Sequence, residues 1–435
     1  MTNEERKIQY MNKNVKMSPV LIALTWDVIF VWVISTLYLS SQKGFTNSQI
    51  VLLDSVLMFA GCLMVVPVTK LMQNVKSVVA TRIGLVGYAC WLLLYIFGNG
   101  YVTFVIAQFF LAFGYCVLGI KANSVLTESL NVVKRDKDYQ RIYGKGLSLF
   151  YILEFIGSIL IVYVYNWKPA VAFVISLCIV IFCFAFTFLF KEPSKFMDKN
   201  VDINSQVKTE TEVKKPDSFA KILKSGFLIS LLIYAFFFRG VMSMSGSSLK
   251  IYLNELVNTN KIPIWSYGYI YAISRLTASL ASKYQFKFNL KWGVRTLLIL
   301  NTLLVGTYAL TGLMYLFVPN YFGMVIILIS CYIMCALRIP NQIFVNNYLQ
   351  VCTTKKNIER VHSIRIMIEY LGYALISFIY SILLSVFNDN YGLTNLTYIG
   401  IFGIPLVVSL IVFIRLLCKK HAQKFTIIKP EYTED

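Results

Sequence analysis

The chain carries about twelve apolar runs of roughly 20 residues each, and no other feature limits its fold so sharply. A bilayer's hydrocarbon core is about 30 Å thick, which a helix rising about 1.5 Å per residue crosses in about 20 residues. The first six runs are Pro19–Leu39, Ile50–Val68, Val78–Phe97, Tyr101–Ile120, Gly146–Tyr165 and Ala170–Phe190. The second six are Gly226–Leu249, Ile262–Ala281, Arg295–Leu316, Tyr321–Val345, Val361–Phe387 and Leu393–Leu417. Hydrophobic residues fill 57% of the 435 positions and charged ones only 14%, which excludes a soluble enzyme, a disordered chain and a disulfide scaffold. The nine cysteines lack Cys-x-x-Cys spacing and read as small hydrophobes. The first run has no small-residue cleavage site behind a short apolar core, so it is expected to remain as a helix.

The 41 Lys and Arg against 21 Asp and Glu give a formal net charge of +20. In a soluble protein that surplus suggests a nucleic-acid partner; in a membrane chain its location has to be read first. If each run crosses once, 33 of the 41 basic residues fall on the side of the N-terminus, from Arg6 and Lys7 through Lys134–Lys145 and Lys191–Lys224 to Lys419–Lys429. Only Lys43, Lys168, Lys250 and Lys261 fall opposite. Basic loops stay cytoplasmic, so the chain is expected in a cell membrane with both termini in the cytoplasm and no nucleic acid bound. Usage rich in Lys, Asn and Ile points to a bacterial source.

The segment Lys191–Ser218 breaks the rhythm: it mixes six basic with six acidic residues and has Phe196 as its only aromatic, so it reads as a linker. An internal repeat supports two halves. Ser148, Glu154, Phe155, Ile156, Gly157 and Leu160 recur 215 positions later as Ser363, Glu369, Tyr370, Leu371, Gly372 and Leu375. Lys121 and Asn123 match Arg338 and Asn341 at nearly the same offset. Six crossings per half return the chain to the same side, so the repeat is parallel. The expected fold is an all-α membrane protein of twelve transmembrane helices in two six-helix bundles. Its parts are a cytoplasmic N-terminal segment (1–18), an N-terminal bundle (19–190), a cytoplasmic linker (191–224), a C-terminal bundle (225–418) and a cytoplasmic tail (419–435).

This organisation resembles the major facilitator superfamily of secondary transporters over essentially the whole length. The family's signature loop between helices two and three carries a Gly, an Asp–Arg pair and a Gly–Arg–Arg cluster. Here Thr69–Ser77 keeps only basic character in Lys70 and Lys76, and the matching Ala278–Lys287 keeps Lys283 and Lys287. The Gly-Pro motif of proton-driven drug antiporters is replaced on the fifth run by Glu154, and no Arg occurs around Gln108–Gly114. The resemblance implies a small-molecule substrate, and that helices one, four, seven and ten line a central cavity, which would place Asp27, Lys121, Arg239 and Arg338 there.

An ionisable residue at the bilayer centre costs about 2.5–3.5 kcal/mol on insertion scales, so it needs a partner, water or a role. Asp27, Lys121, Glu154, Arg239, Arg338 and Glu369 are the candidates for proton coupling or the substrate path. Asp54 and Arg275 lie nearer run ends and read as snorkelling to the interface. Lys121 with Glu154, and Arg338 with Glu369, are expected to pair between adjacent helices, either as fixed braces or as carboxylates that trade a base for a proton. The proton acceptor is then Glu154 or Glu369, with Asp27 next. Ser243 and Ser245–Ser248 form a polar patch, Pro340 is expected to kink its helix, and Asn341, Gln342, Asn346 and Asn347 extend a polar face. His362 and His421 have no metal-ligand spacing, and no Walker A motif, nucleophile elbow or His-Glu-x-x-His occurs. No cofactor, metal or enzymatic activity is therefore expected. The expected function is proton-coupled efflux of an amphipathic drug or metabolite by a monomer. The rivals are proton-coupled uptake of a small solute and a non-transporting sensor or assembly partner.

Overall fold

Hydrocarbon offers backbone N–H and C=O groups no partners, so a chain this apolar satisfies them within helices. The computed structural model describes residues 3–28, 30–72, 74–135, 138–196, 226–292, 295–352 and 358–421, and these are helices and short connections without a strand. The helices of the first half are α1 (Asn3–Thr25), α2 (Val31–Ser41), α3 (Asn47–Met72), α4 (Ser77–Phe97), α5 (Tyr101–Val132), α6 (Tyr139–Trp167) and α7 (Pro169–Phe186). Those of the second half are α8 (Gly226–Asn258), α9 (Ile264–Trp292), α10 (Arg295–Phe317), α11 (Tyr321–Cys352), α12 (Ile358–Val386) and α13 (Tyr391–His421). Among the described residues ten helices are long and apolar enough to cross a membrane, with Val31–Ser41 a shorter apolar one.

Two of the twelve expected runs depart from that pattern. The first is broken into α1 and α2, because Asp27 draws the N–H of Val28 out of the helical ladder (2.7 Å) and Phe30 adopts φ 76°. The eighth lies within α9, where Ser266, Tyr267, Tyr269, Tyr271, Ser274 and Arg275 dilute the apolar stretch. Linker residues 197–225 and the side chains of Pro340, Asn341, Gln342, Asn346, Asn347, His362 and His421 lie outside the described residues.

The chain divides into two compact units, Met1–Val213 with Leu253–Ala272, and Lys214–Tyr252 with Ile273–Asp435. In the first, α4 and α5 cross closely, since a Cβ on Gly87 would come within 3.0 Å of the Phe110 carbonyl. Leu253–Ala272 is held there by Ser40 Oγ donating to Asn254 Oδ1 (2.9 Å) and by Tyr163 meeting Tyr269 (3.1 Å between hydroxyls). Trp91, Tyr95, Phe104 and Phe173 fill its core with stacked and edge-on contacts. In the second unit the core is tyrosine-rich, and its hydroxyls are spent internally. Tyr308 donates to the Val241 carbonyl (3.0 Å), Tyr380 to Asn395 Oδ1 (3.0 Å), and Tyr391 meets Ser248 Oγ (2.8 Å). These aromatics pack the bundles, which accounts for much of the aromatic content that the sequence left open to an amphipathic ligand.

Candidate functional site

In the first unit the site is built on the break between α1 and α2. Oδ1 of half-buried Asp27 accepts the Val28 N–H, the Trp32 indole N–H at 2.6 Å and the Tyr115 hydroxyl of α5. Three donors on one oxygen satisfy it as an acceptor within the membrane. Trp32 stacks on Trp91 (5.9 Å) and Tyr115 meets Tyr88 edge-on (5.5 Å), so the donors are themselves held by packing. Glu154 on α6 is buried, 7% exposed. Gly157, one turn on, lies against the ring of Phe30, so α6 packs directly on the break.

The second unit repeats this device with different charges. Glu369 on α12 is 7% exposed, and Gly372, three residues on, lies against the backbone of Phe236 on α8. Gly240 completes that crossing, with the Gly372 carbonyl 2.9 Å from where its Cβ would stand. Each half thus uses a Glu-x-x-Gly turn on a helix packed against a facing element, at the 215-residue offset. The charge around the carboxylate is not repeated. Arg365, one turn before Glu369, is 3% exposed and places Nη1 3.3 Å from Glu369 Oε1. Its repeat partner is Phe150, a buried core residue. Arg239 on α8 lies within electrostatic reach of both Arg365 and Glu369. Nε of Arg239 and Nε of Arg365 are buried without a hydrogen-bond partner among the described residues, while Nη1 of Arg365 is the atom paired with Glu369. One guanidinium is paired with the carboxylate, a second lies within its electrostatic reach, and each keeps a buried Nε donor unused.

The two expected inter-helix pairs are not formed. Lys121 donates to the Val75 carbonyl at 3.2 Å and lies near Glu128, because its chain reaches along α5 toward the α3–α4 connection instead of across to α6. Glu369 is paired with Arg365 on its own helix; half-buried Arg338, with Arg275, lies within electrostatic reach of Cys335. Arg275, expected to reach the interface, has its Nε buried. Of the serine patch, Ser243 and Ser245 donate back to the carbonyls of Arg239 and Met242, a helix-internal use. Arg365 falls near the start of the run Val361–Phe387 and counts among the 33 basic residues assigned to the cytoplasmic side, so it was missed as a site residue; the Arg365–Glu369 spacing of four was the available signal. Trp32 and Tyr115 carried none, since donors to Asp27 are recognisable only once α2 and α5 are in place. No group of three or more His, Cys, Asp or Glu that would hold a metal occurs among the described residues.

Each half carries a buried Glu one turn before a glycine that makes a close packing contact. The Major Facilitator Superfamily profile matches residues 17–376. The chain belongs to that superfamily. Two solved structures of the same fold are the nucleoside transporter NupG (TM-score 0.72, 14% identity, covering 94% of this chain and 99% of that one) and a POT family transporter in complex with a thioalcohol-conjugated peptide (TM-score 0.70, 13% identity, 95% and 96%). No curated protein sequence matches. As a superfamily member the chain is a multi-pass membrane transporter and not an enzyme. The superfamily's parallel repeat corresponds here to the recurrence of Glu154–Gly157 as Glu369–Gly372.

Proposed function

We propose that this transporter moves a solute bearing an anionic group in symport with a proton, by alternating access, and that Glu369 is the proton carrier. The observation that carries the reading is the excess of guanidinium over carboxylate at Arg239, Arg365 and Glu369, with buried donors left over. An anion entering there competes with Glu369 for the two arginines. A carboxylate so displaced into a low-dielectric site is neutralised instead of remaining charged. The empty cluster holds two positive charges and one negative; the loaded cluster holds two positive, the solute's negative and a neutral acid. Net charge is the same, so both forms meet the same electrostatic cost while the site reorients.

In an energised bacterial membrane, with both termini in the cytoplasm as the basic residues imply, such symport runs inward and one chain suffices. Within the first unit, Asp27 and Glu154 are the acids that remain candidates for the path. One observation favours the efflux reading instead: Asp27, beside Trp32 and Tyr115, offers a carboxylate and aromatic surfaces to an amphipathic cation.

Thermal unfolding of the purified protein separates the two. The panel is succinate, lactate and phosphate, then tetraphenylphosphonium, then a neutral nucleoside. An anionic member present at about 100 times its Kd is expected to stabilise by about 2.7 kcal/mol, and Arg239→Gln should remove that shift. Stabilisation by the cation alone, lost in Asp27→Asn, would select efflux at Asp27 and reject the arginine site.

A further inference from the structure

The residues that follow α7 are not loose at their start. They fold onto the end of the first unit where α1, α4 and α7 meet, and three clamps fix them. Asn14 of α1 brackets the backbone of Lys191, accepting its N–H at 3.1 Å and donating to its carbonyl at 2.7 Å. The carboxylate of Glu192 caps α4, taking the N–H of Ser77 (3.0 Å) and of Val78 (3.2 Å). Arg82 of α4 donates to the Thr187 hydroxyl (2.9 Å) and carbonyl (3.3 Å), and stacks on Phe188 at 3.9 Å.

Between these clamps lies a cavity of about 520 Å³, lined by Lys76, Arg82, Lys191, Glu192, Tyr10 and Phe188 among others. It opens where the span of α4 begins and that of α7 ends, which is headgroup depth. Three cations face one carboxylate there, and that carboxylate is already committed to the α4 terminus. Lys76 and Lys191 are exposed; Lys76 lies within electrostatic reach of Glu192, and the Lys191 ammonium stands 5.9 Å from the Tyr10 ring centre. Beside them Val79 (41% exposed) and Phe188 (59%) continue as apolar surface toward the bilayer. Basic pockets at this level between membrane helices suit anionic headgroups.

We infer that this cavity binds the phosphate of an anionic phospholipid, with Lys76, Lys191 and Arg82 around the headgroup and Val79 and Phe188 alongside an acyl chain. The site is separate from the transport cluster and does not depend on the substrate reading. Bound lipid would hold the base of the linker against α4, since its headgroup would bridge Lys191 to Arg82 of α4 and to Lys76 just before it.

Native mass spectrometry of the full chain in detergent tests this, with added phosphatidylglycerol, phosphatidylcholine or inorganic phosphate. The parent should retain phosphatidylglycerol over phosphatidylcholine. Lys76→Ser/Lys191→Ser should weaken that retention about thirtyfold, equivalent to about 1 kcal/mol per lysine. Lys70→Ser/Lys145→Ser, which removes two exposed lysines outside the cavity, should leave retention unchanged. Equal retention of the two lipids, or equal loss in the control variant, would overturn the assignment. So would binding of inorganic phosphate without lipid preference, which would make the cavity a site for the free anion.

Discussion

Glu369→Gln is expected to abolish gradient-driven accumulation while leaving exchange of solute across the membrane intact. Gln has the shape of the protonated acid and keeps an acceptor for Arg365, so the variant mimics the loaded, protonated state and cannot release its proton. An imposed gradient of about two pH units is worth about 2.7 kcal/mol per proton, or about hundredfold accumulation of solute in the parent. The variant should reach a ratio near one under the same gradient, with exchange rates within a few-fold of the parent. Removing one partner of a buried pair costs about 3–5 kcal/mol, so folding is a separate question. Arg365→Met/Glu369→Gln restores the parent's net charge in the cluster and gives a second route: it should fold and exchange, and also fail to accumulate. Accumulation by either folded variant at the parent's level would remove Glu369 from the coupling role.

The second large effect concerns Gly372. A methyl group there meets the carbonyl and Cα of Phe236, which are backbone atoms of α8 and cannot swing aside. Gly372→Ala should lower stability by at least the 1–3 kcal/mol typical of overpacking, and Gly372→Val should prevent assembly of the second unit. Gly157 differs, because the atoms in its way belong to the Phe30 side chain. Gly157→Ala should therefore cost less. Gly306 has open space around its Cβ position, so Gly306→Ala should be neutral or stabilising by about 0.5–1 kcal/mol. The order of unfolding temperatures, Gly306→Ala above Gly157→Ala above Gly372→Ala, checks the packing. Equal stability of Gly372→Ala and Gly306→Ala would contradict it.

The helical membrane fold was legible because hydrocarbon imposes length and apolarity on each crossing, and the repeat was legible because Glu154-x-x-Gly157 and Glu369-x-x-Gly372 each pack a helix onto a facing element. The break at Asp27 was not. Trp26, Asp27 and Val28 sit within an apolar run, and the carboxylate stops the helix because Trp32 and Tyr115 arrive from elsewhere to hold it. The same holds for charge partners. Lys121 and Arg338 occupy matching places in the two halves, yet a long side chain finds its partner by reach, in one case the Val75 carbonyl and in the other the surroundings of Cys335. Arg365 lies near the start of an apolar run, where a basic residue ordinarily marks the membrane edge. It is buried because α8 packs over α12 at Gly240 and Gly372, a crossing that no local pattern announces.

That asymmetry between the halves is what redirects the functional reading. Sorted by unit, Asp27, Asp54 and Glu154 lie with Lys121 in the first, and Arg239, Arg275, Arg338 and Arg365 lie with Glu369 in the second. The first unit's aromatics are largely core, and the second unit's tyrosines are engaged with backbone and side-chain partners. A cluster with surplus guanidinium donors suits a polar anion better than a lipophilic cation.

The central claim is that anion and proton occupy the Arg239–Arg365–Glu369 cluster together. Proteoliposomes with an internal pH indicator test it most directly, when the stabilising anion is added outside with no gradient imposed. The account predicts internal acidification that tracks solute entry and is absent in Glu369→Gln. Entry of the anion with no change in internal pH would contradict it.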